Sequence, residues 1–234
     1  MTIAIMQPYF LPYIGYFQLM NAVDEFIVYD NIEFSKKGWI NRNRILVNGK
    51  DSFITLPLKK DSDYLDVKDR YLANTWKDDR VKMKNRIIES YRKAPFFDGA
   101  YPVVDKCIFF DDMNLFNFIF HSITTIKEHL EIPAQLHISS FINIDHELKA
   151  QGKVIEICKA RNAAKYVNPI GGISLYDKDE FKDEGIDLGF LKSNDVIYKQ
   201  FNHDFIPWLS IIDVLMFNSK DMIKDNLISN YSII

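Results

Sequence analysis

The chain has 234 residues, 47% hydrophobic and 26% charged, with a formal net charge of -3. Such a composition builds a sizeable buried core and excludes a disordered or fibrous protein, and its slight negative balance gives no overall attraction to nucleic acid or an anionic membrane. Cys107 and Cys158 stand far apart in apolar surroundings, so they read as packed thiols of a reducing compartment. No stretch reaches the ~18 apolar residues of a membrane span, and Thr2 to Met6 is too short for a signal-peptide core. A cytoplasmic location, with no nucleic acid partner and no membrane insertion, is the expectation.

In chain order, Thr2 to Met6 is a short β-branched apolar run that predicts a buried strand. A polar, turn-rich segment follows, in which Pro8 and Pro12 fix the chain direction; Ile14, Phe17 and Leu19 then recur near the helical period. This leaves Gln7, Tyr9 and Tyr13 near the carboxyl end of a strand, where open α/β sheets bind ligands. Glu25 to Tyr29 reads as a second strand ending at Asp30, which opens a parallel sheet. Ile45 to Val47 and Phe53 to Leu56 flank Asn48-Gly49, a dipeptide suited to tight hairpin turns, so an antiparallel pair is expected to join that sheet.

Helices are predicted from about Trp76 to Lys93, stopped by Ala94-Pro95, and from Asn114 to Leu130, stopped by Ile132-Pro133. The last third alternates: strand at Leu136 to Ser139, helix at Glu147 to Arg161, strands at Lys165 to Val167 and Ile186 to Leu191, helix at Pro207 to Phe217. The fold class predicted is α/β, a Rossmann-like and mostly parallel sheet with an added antiparallel hairpin. A single domain over residues 1–234, with a helical subregion at about 76–132, accounts for the whole chain.

The densest chemistry lies between Lys36 and Arg44. Lys36, Lys37, Arg42 and Arg44 are interleaved with Trp39, Asn41 and Asn43. Guanidinium forks match phosphate, tryptophan offers a stacking face, and asparagine reads a sugar or base edge, so the strip suits a nucleotide. A solvated arm that keeps an edge strand from aggregating is the alternative. Gly171-Gly172 either lets backbone approach a ligand, beside Tyr166, Asn168 and Tyr176, or is an ordinary turn. His203 beside Asp204 is either a base or a solvent-facing pair. Asp213 lies inside the apolar run Ile211 to Phe217 and requires a partner. The remaining histidines show no metal spacing, and no metal site is predicted.

Several segments together carry a resemblance: Met6 to Leu19 (M-Q-P-Y-F-L-P-Y-I-G-Y-F-Q-L), V-D-E-F-I-V-Y-D, K-K-G-W-I-N-R-N-R-I-L, Tyr91 to Phe97, Tyr166 to Gly172, and Leu209 to Asp213. They resemble the WbqC-like proteins, a family found mainly in bacterial O-antigen and surface-polysaccharide gene clusters. The chain departs from that pattern at Asn168-Pro169-Ile170-Gly171-Gly172, where G-P-G-G is frequent, and at Val196-Ile197-Tyr198, where a histidine-proline precedes the tyrosine. A second resemblance is to H-x-G-H nucleotidylyltransferases and pantothenate-synthetase-like ligases, whose motif position is taken by Tyr13-Ile14-Gly15-Tyr16. Tyrosine donates one hydrogen bond but carries no positive charge near neutral pH, so it does not replace histidine toward a nucleotide phosphate.

The resemblance implies work on activated sugars in lipopolysaccharide or O-antigen biosynthesis. The expectation is a transferase acting on a nucleotide-linked sugar, forming an N-acyl or aminoacyl amide on a dTDP-amino-dideoxyhexose. Lys36, Lys37, Arg42 and Arg44 would hold pyrophosphate, Trp39 would stack, and Gln7, Tyr9 and Tyr13 would line the sugar end. Asp213 or His203 would accept the proton. Retained nucleotidyl transfer with ATP and magnesium, or a non-catalytic sugar-nucleotide binding protein, are the alternatives.

Overall fold

A computed structural model describes residues 1–234. Its centre is a six-stranded sheet, in which β1 (Thr2–Met6), β2 (Glu25–Val28), β5 (Gln135–Ile138), β6 (Lys165–Pro169) and β7 (Asp187–Ser193) are mutually parallel. Strand β8 (Tyr231–Ile233) closes one edge antiparallel to β7, and the order across the sheet is β5-β2-β1-β6-β7-β8. The strand order therefore reverses between β1 and β6, which makes their carboxyl ends the place where an open α/β sheet has room for a ligand. β1 matches β2 over four residue pairs, Ile3↔Glu25 to Met6↔Val28, but β6 only at Thr2↔Lys165 and Ile3↔Tyr166. The carboxyl halves of β1 and β6 share no ladder.

The hairpin β3 (Arg42–Val47) and β4 (Lys50–Thr55) forms where Asn48 and Gly49 supply positive φ angles of 50° and 74°. The sequence reading had it joining the main sheet, and here the structure differs: β3 and β4 form a sheet of their own, and β8 makes the main sheet mixed. Physically, Asn43, Ile45, Leu46 and Ile54 are all buried, so the hairpin is held to the body by side-chain packing, the helices at Trp76–Tyr91 and Ile211–Phe217 lying against β3, and not by a ladder to the main sheet.

Helix α1 (Ile14–Asn21) follows β1. The mid-section holds α2 (Trp76–Tyr91), α3 (Phe97–Ile108) and α4 (Leu115–His129), three helices where two were expected. Pro102 and Gly99 hide α3 from a propensity reading, but Ala100, Val104, Cys107 and Ile108 still form a buried stripe at helical spacing. Asn114 caps α4 by accepting from the Asn117 amide. Helix α5 (Ala150–Ala160), α6 (Lys178–Asp183) and α7 (Ile211–Phe217) complete the fold.

α7 is shorter than the predicted Pro207 to Phe217, because Ser210 rather than Pro207 marks its start: its hydroxyl accepts from Ile212 N–H at 3.3 Å. Two apolar clusters flank the sheet, a large one joining α1, α2, α3, α4 and α7 to the hairpin, and a smaller one under α5 and α6. No helix is long and apolar enough to cross a membrane.

Candidate functional site

Three segments meet beyond the carboxyl end of β1. The β1–α1 loop is fixed by Asn43, whose buried amide donates to the Phe10 carbonyl (3.1 Å) and the Leu11 carbonyl (2.7 Å) and accepts from Arg44 N–H (2.8 Å). Ser210 Oγ also donates to the Leu11 carbonyl (2.7 Å), while Ser210 N–H reaches the Arg44 carbonyl (2.8 Å) and Ile211 N–H the Pro12 carbonyl (2.8 Å). These bonds hold Leu11 in the left-handed region at φ 44° and tie together the β1–α1 loop, β3 and the start of α7.

The junction borders a solvent-open cavity of about 410 Å³. Met6, Gln7, Tyr9 and Tyr13 come from β1 and its loop, Trp39, Asn43 and Arg44 from the hairpin, and Trp208 from the segment before α7. A second cavity of about 440 Å³ shares Tyr13 and Trp208 and extends along Ser193 to Tyr198, Phe205 and Pro207 to Leu209. Its walls include Val196, Ile197, Phe205 and Pro207, and Asp195 is the one carboxylate on either lining.

The basic strip divides on folding. Arg44 lines the aromatic cavity, with its guanidinium 5.4 Å from the Trp39 ring centroid and Nη1 on Asp51 Oδ2 at 3.0 Å. Its Nε is buried and has no hydrogen-bond partner. Arg42 instead donates from Nε to the Gly38 carbonyl (2.9 Å) and from Nη2 to the Lys37 carbonyl (2.8 Å), so it braces the turn that presents Trp39. Lys36 pairs with Asp63 at 2.6 Å and lines a separate pocket with Asn41, which donates to the Leu56 carbonyl (2.9 Å); Lys37 is exposed. Of the four cations predicted to hold pyrophosphate, Lys36, Lys37, Arg42 and Arg44, only Arg44 lines this cavity, and the fold does not bring the four together.

Asp213 does not face either cavity. It is fully buried, its Oδ1 accepting from Tyr91 OH (2.9 Å) and its Oδ2 from Tyr198 OH (2.7 Å) and Gln200 Nε2 (2.6 Å). Tyr91 OH accepts in turn from Leu46 N–H at 2.8 Å. Burial pushes the carboxyl up to about 6 against the three hydrogen bonds that oppose it. The predicted partners thus exist, and they hold Asp213 away from both cavities while it anchors Tyr198, a wall of the second one. His203 also lies elsewhere: its ring covers the hairpin turn, where a Cβ on Gly49 would come within 2.9 Å of it.

Tyr13 does reach the site, and it explains Gly15. A Cβ on Gly15 would lie 2.0 Å from the Tyr13 hydroxyl, so the phenol occupies the face that glycine leaves open. Burial raises the Tyr13 pKa, with a hydrogen bond to Ser193 opposing. Tyr16 is buried against Tyr9, edge-on at 5.3 Å, and against Phe26. The two tyrosines at the H-x-G-H positions are therefore one plug and one core residue. Gly171-Gly172 follows β6 at the same rim of the sheet but lines neither cavity. A Cβ on Gly172 would meet Asn168 Nδ2 at 2.1 Å, so that glycine makes room for Asn168, and Tyr176 packs with the smaller apolar cluster.

Trp208, absent from the sequence reading, is the main addition. It is 69% exposed, stands at φ 57°, and lines both cavities. A large apolar side chain held in solvent at a positive-φ position, on the lining of both cavities, makes Trp208 a candidate binding residue. The only signal in the sequence is a tryptophan after Pro207, and Pro207 reads as a helix start.

Fold and site together define a Rossmann-like protein with an aromatic, singly cationic cleft at the switch point of its sheet. The chain belongs to the WbqC-like protein family, whose model matches residues 7–225. It is 30% identical over 225 residues to the Uncharacterized protein Rv1507c of Mycobacterium tuberculosis (strain ATCC 25618 / H37Rv), covering 91% of this chain and 92% of that protein. No solved structure matches.

Proposed function

We propose that the protein is a transferase that modifies a nucleotide-linked sugar. Membership of the WbqC-like family is consistent with a polysaccharide-related role, and the observation that carries the finer reading is the cavity framed by Trp39, Trp208 and Arg44. Two tryptophans supply stacking faces for a base, and the partly exposed guanidinium of Arg44 on the same lining would supply charge-assisted donors for a phosphate oxygen. A volume of about 410 Å³ falls within the range of small-ligand sites.

The reaction best supported is amide formation on an amino sugar: the amine nitrogen attacks the carbonyl of an acyl or aminoacyl thioester or ester, the C–N bond forms, the C–S or C–O bond breaks, and the donor's thiol or alcohol leaves with a proton. The adjoining cavity, walled by Val196, Ile197 and Phe205, suits the carbon chain of the donor, and Asp195 on its lining would take the ammonium proton. Gln7, Tyr9 and Tyr13 then lie along the ligand between the two cavities. The adenylyl-transfer alternative loses support because Tyr13 fills the space over Gly15 and Tyr16 is buried. Isothermal titration of the purified protein with dTDP, UDP and their hexose conjugates tests the reading. Saturable binding that Trp208→Ala and Arg44→Met each weaken is expected, and mass detection of an acylated amino-sugar nucleotide separates a transferase from a binding protein. Binding of none of these, with ATP and magnesium binding instead, refutes it.

A further inference from the structure

A further cavity, of about 260 Å³ and open to solvent, lies at the base of the hairpin and takes up the part of the basic strip that the aromatic cleft leaves out. Lys36 and Asn41 line it, joined by Lys59, Lys60 and Arg70, and it shares no lining residue with either cavity described above.

Arg70 is the member whose placement asks for a ligand. It is only 5% exposed, and its backbone is fixed on both sides: its N–H donates to the Val67 carbonyl (3.3 Å) and its carbonyl accepts from Leu115 N–H (2.8 Å). The guanidinium lies 4.4 Å from the centroid of the Phe34 ring, and its one hydrogen bond runs from Nη2 to the Ser62 carbonyl at 2.7 Å. Nε is sealed in the protein without a partner. Nη1 makes no hydrogen bond either but is not sealed, which leaves its hydrogens to the cavity that Arg70 lines. No carboxylate forms a salt bridge with this cation. Burying a guanidinium with most of its donors unused and no counter-charge in contact is costly, and an anion in the cavity removes that cost. Bracing the Ser62 carbonyl alone would need a single donor.

Charge selects the anion. The two carboxylates on the lining are already occupied, Asp63 by Lys36 at 2.6 Å and Asp61 by the Ser62 N–H at 2.8 Å. Lys59 and Lys60 are exposed and form no salt bridge. Four cations against two carboxylates leave this wall two positive charges in surplus, in a chain whose net charge is -3. A phosphate dianion balances that surplus, where a carboxylate ligand would balance half of it. The guanidinium matches phosphate oxygens in geometry, and the two flexible ammonium groups supply point charges for the rest.

We propose that Arg70, Lys59 and Lys60, with Lys36 at the rim, bind a phosphate dianion, free or as a small phosphomonoester, at the base of the hairpin. The site stands whether or not the aromatic cleft holds a nucleotide-linked sugar, because the two linings are separate.

Inorganic phosphate and glucose 1-phosphate are titrated calorimetrically into the full chain at about pH 8, where both are dianions, with chloride holding the ionic strength constant. The same titrations are run on Lys59→Gln/Lys60→Gln, Arg70→Met and Arg44→Met. The double variant alters only exposed side chains, so its Tm is expected to stay within about 2 °C of the wild type while binding weakens roughly tenfold or more. Arg70→Met is expected to abolish saturable binding with its near-UV dichroism retained; if that variant does not fold, the double variant decides. Arg44→Met is expected to change binding less than about twofold. The tighter of the two ligands tells a free anion from an ester. Absence of saturable binding to the wild type, or binding that the double variant leaves intact, overturns the proposal. Binding lost in Arg44→Met but kept in the double variant also overturns it, placing the anion in the aromatic cleft.

Discussion

Asp213→Asn isolates the cost of keeping a carboxylate inside the large apolar cluster. An aspartate ordinarily titrates near 3.8, and in the fold Asp213 is raised to about 6. Two units correspond to about 3 kcal/mol of preference for the protonated form. Below the unfolded value the group is protonated in both states and the preference is fully present; as pH rises through the folded value, the native state must take on the buried charge and the contribution is lost. The wild type therefore gives up about 3 kcal/mol at this site between about pH 4 and pH 7, and the asparagine variant does not.

The variant has a pH-independent cost of its own. Its amide presents two hydrogens to a site built from the donors Tyr91, Tyr198 and Gln200. Tyr91 OH already accepts from Leu46 N–H, so on losing its acceptor it leaves a donor unmet, at about 1–3 kcal/mol. Urea unfolding of both proteins across about pH 4 to pH 7.5 gives the difference in stability at each pH. The wild type should lose ground to the variant steadily as pH rises through the window. A flat difference, or one that moves in favour of the wild type, would refute the reasoning, because it would mean the three donors hold the carboxylate at or below its ordinary pKa.

Arg44→Met should weaken dTDP or UDP binding roughly tenfold with little change in Tm, whereas Arg42→Met should act by loosening the turn at Gly38, seen as altered near-UV dichroism of Trp39; a larger affinity loss from Arg42 would reverse the assignment. Trp208→Gly should raise stability by about 1 kcal/mol, because glycine accepts φ 57° without strain, while lowering nucleotide affinity; a fall in stability would show the exposed ring to be a packing element. Gly15→Ala should displace the Tyr13 phenol, since the added methyl falls 2.0 Å from its hydroxyl, and alter tyrosine dichroism and both cavities; an unchanged spectrum and crystal structure would remove Tyr13 from its place over Gly15.

The parallel strands were legible because their apolar runs are bounded by turn residues, and the hairpin turn because only a few dipeptides meet its positive φ requirement. What local pattern does not carry is the partner of an edge: nothing in Arg42 to Thr55 says that the hairpin stays apart from the sheet, since burial of Ile45, Leu46 and Ile54 against distant helices decides it. Helix α3 escaped because Gly99 and Pro102 are read locally as breakers, whereas tertiary packing of Val104, Cys107 and Ile108 outweighs their propensity. At the site, the β1–α1 loop with Gln7, Tyr9 and Tyr13 and the hairpin residues Trp39, Asn43 and Arg44 were legible from composition. The split of the cations was not, because it depends on which carbonyls and carboxylates the fold brings to Arg42 and Lys36. Asp213 was flagged correctly as a buried acid in need of partners; Tyr91, which supplies one, lies over a hundred residues away.

The order of strands across the sheet also governs how the chain acquires its fold. β1 leaves the ribosome well before β6 and meets β2 within a few tens of residues, but its other neighbour is β6, so Thr2 must wait for Lys165, roughly 160 residues later. During synthesis the interior strand of the finished sheet is thus an open edge with Ile3, Ala4 and Ile5 uncovered on one flank, the condition that invites wrong pairing between nascent chains. The short β1–β6 ladder that borders the crevice cannot form before Lys165 is made, so the candidate cleft depends on a long-range step of folding.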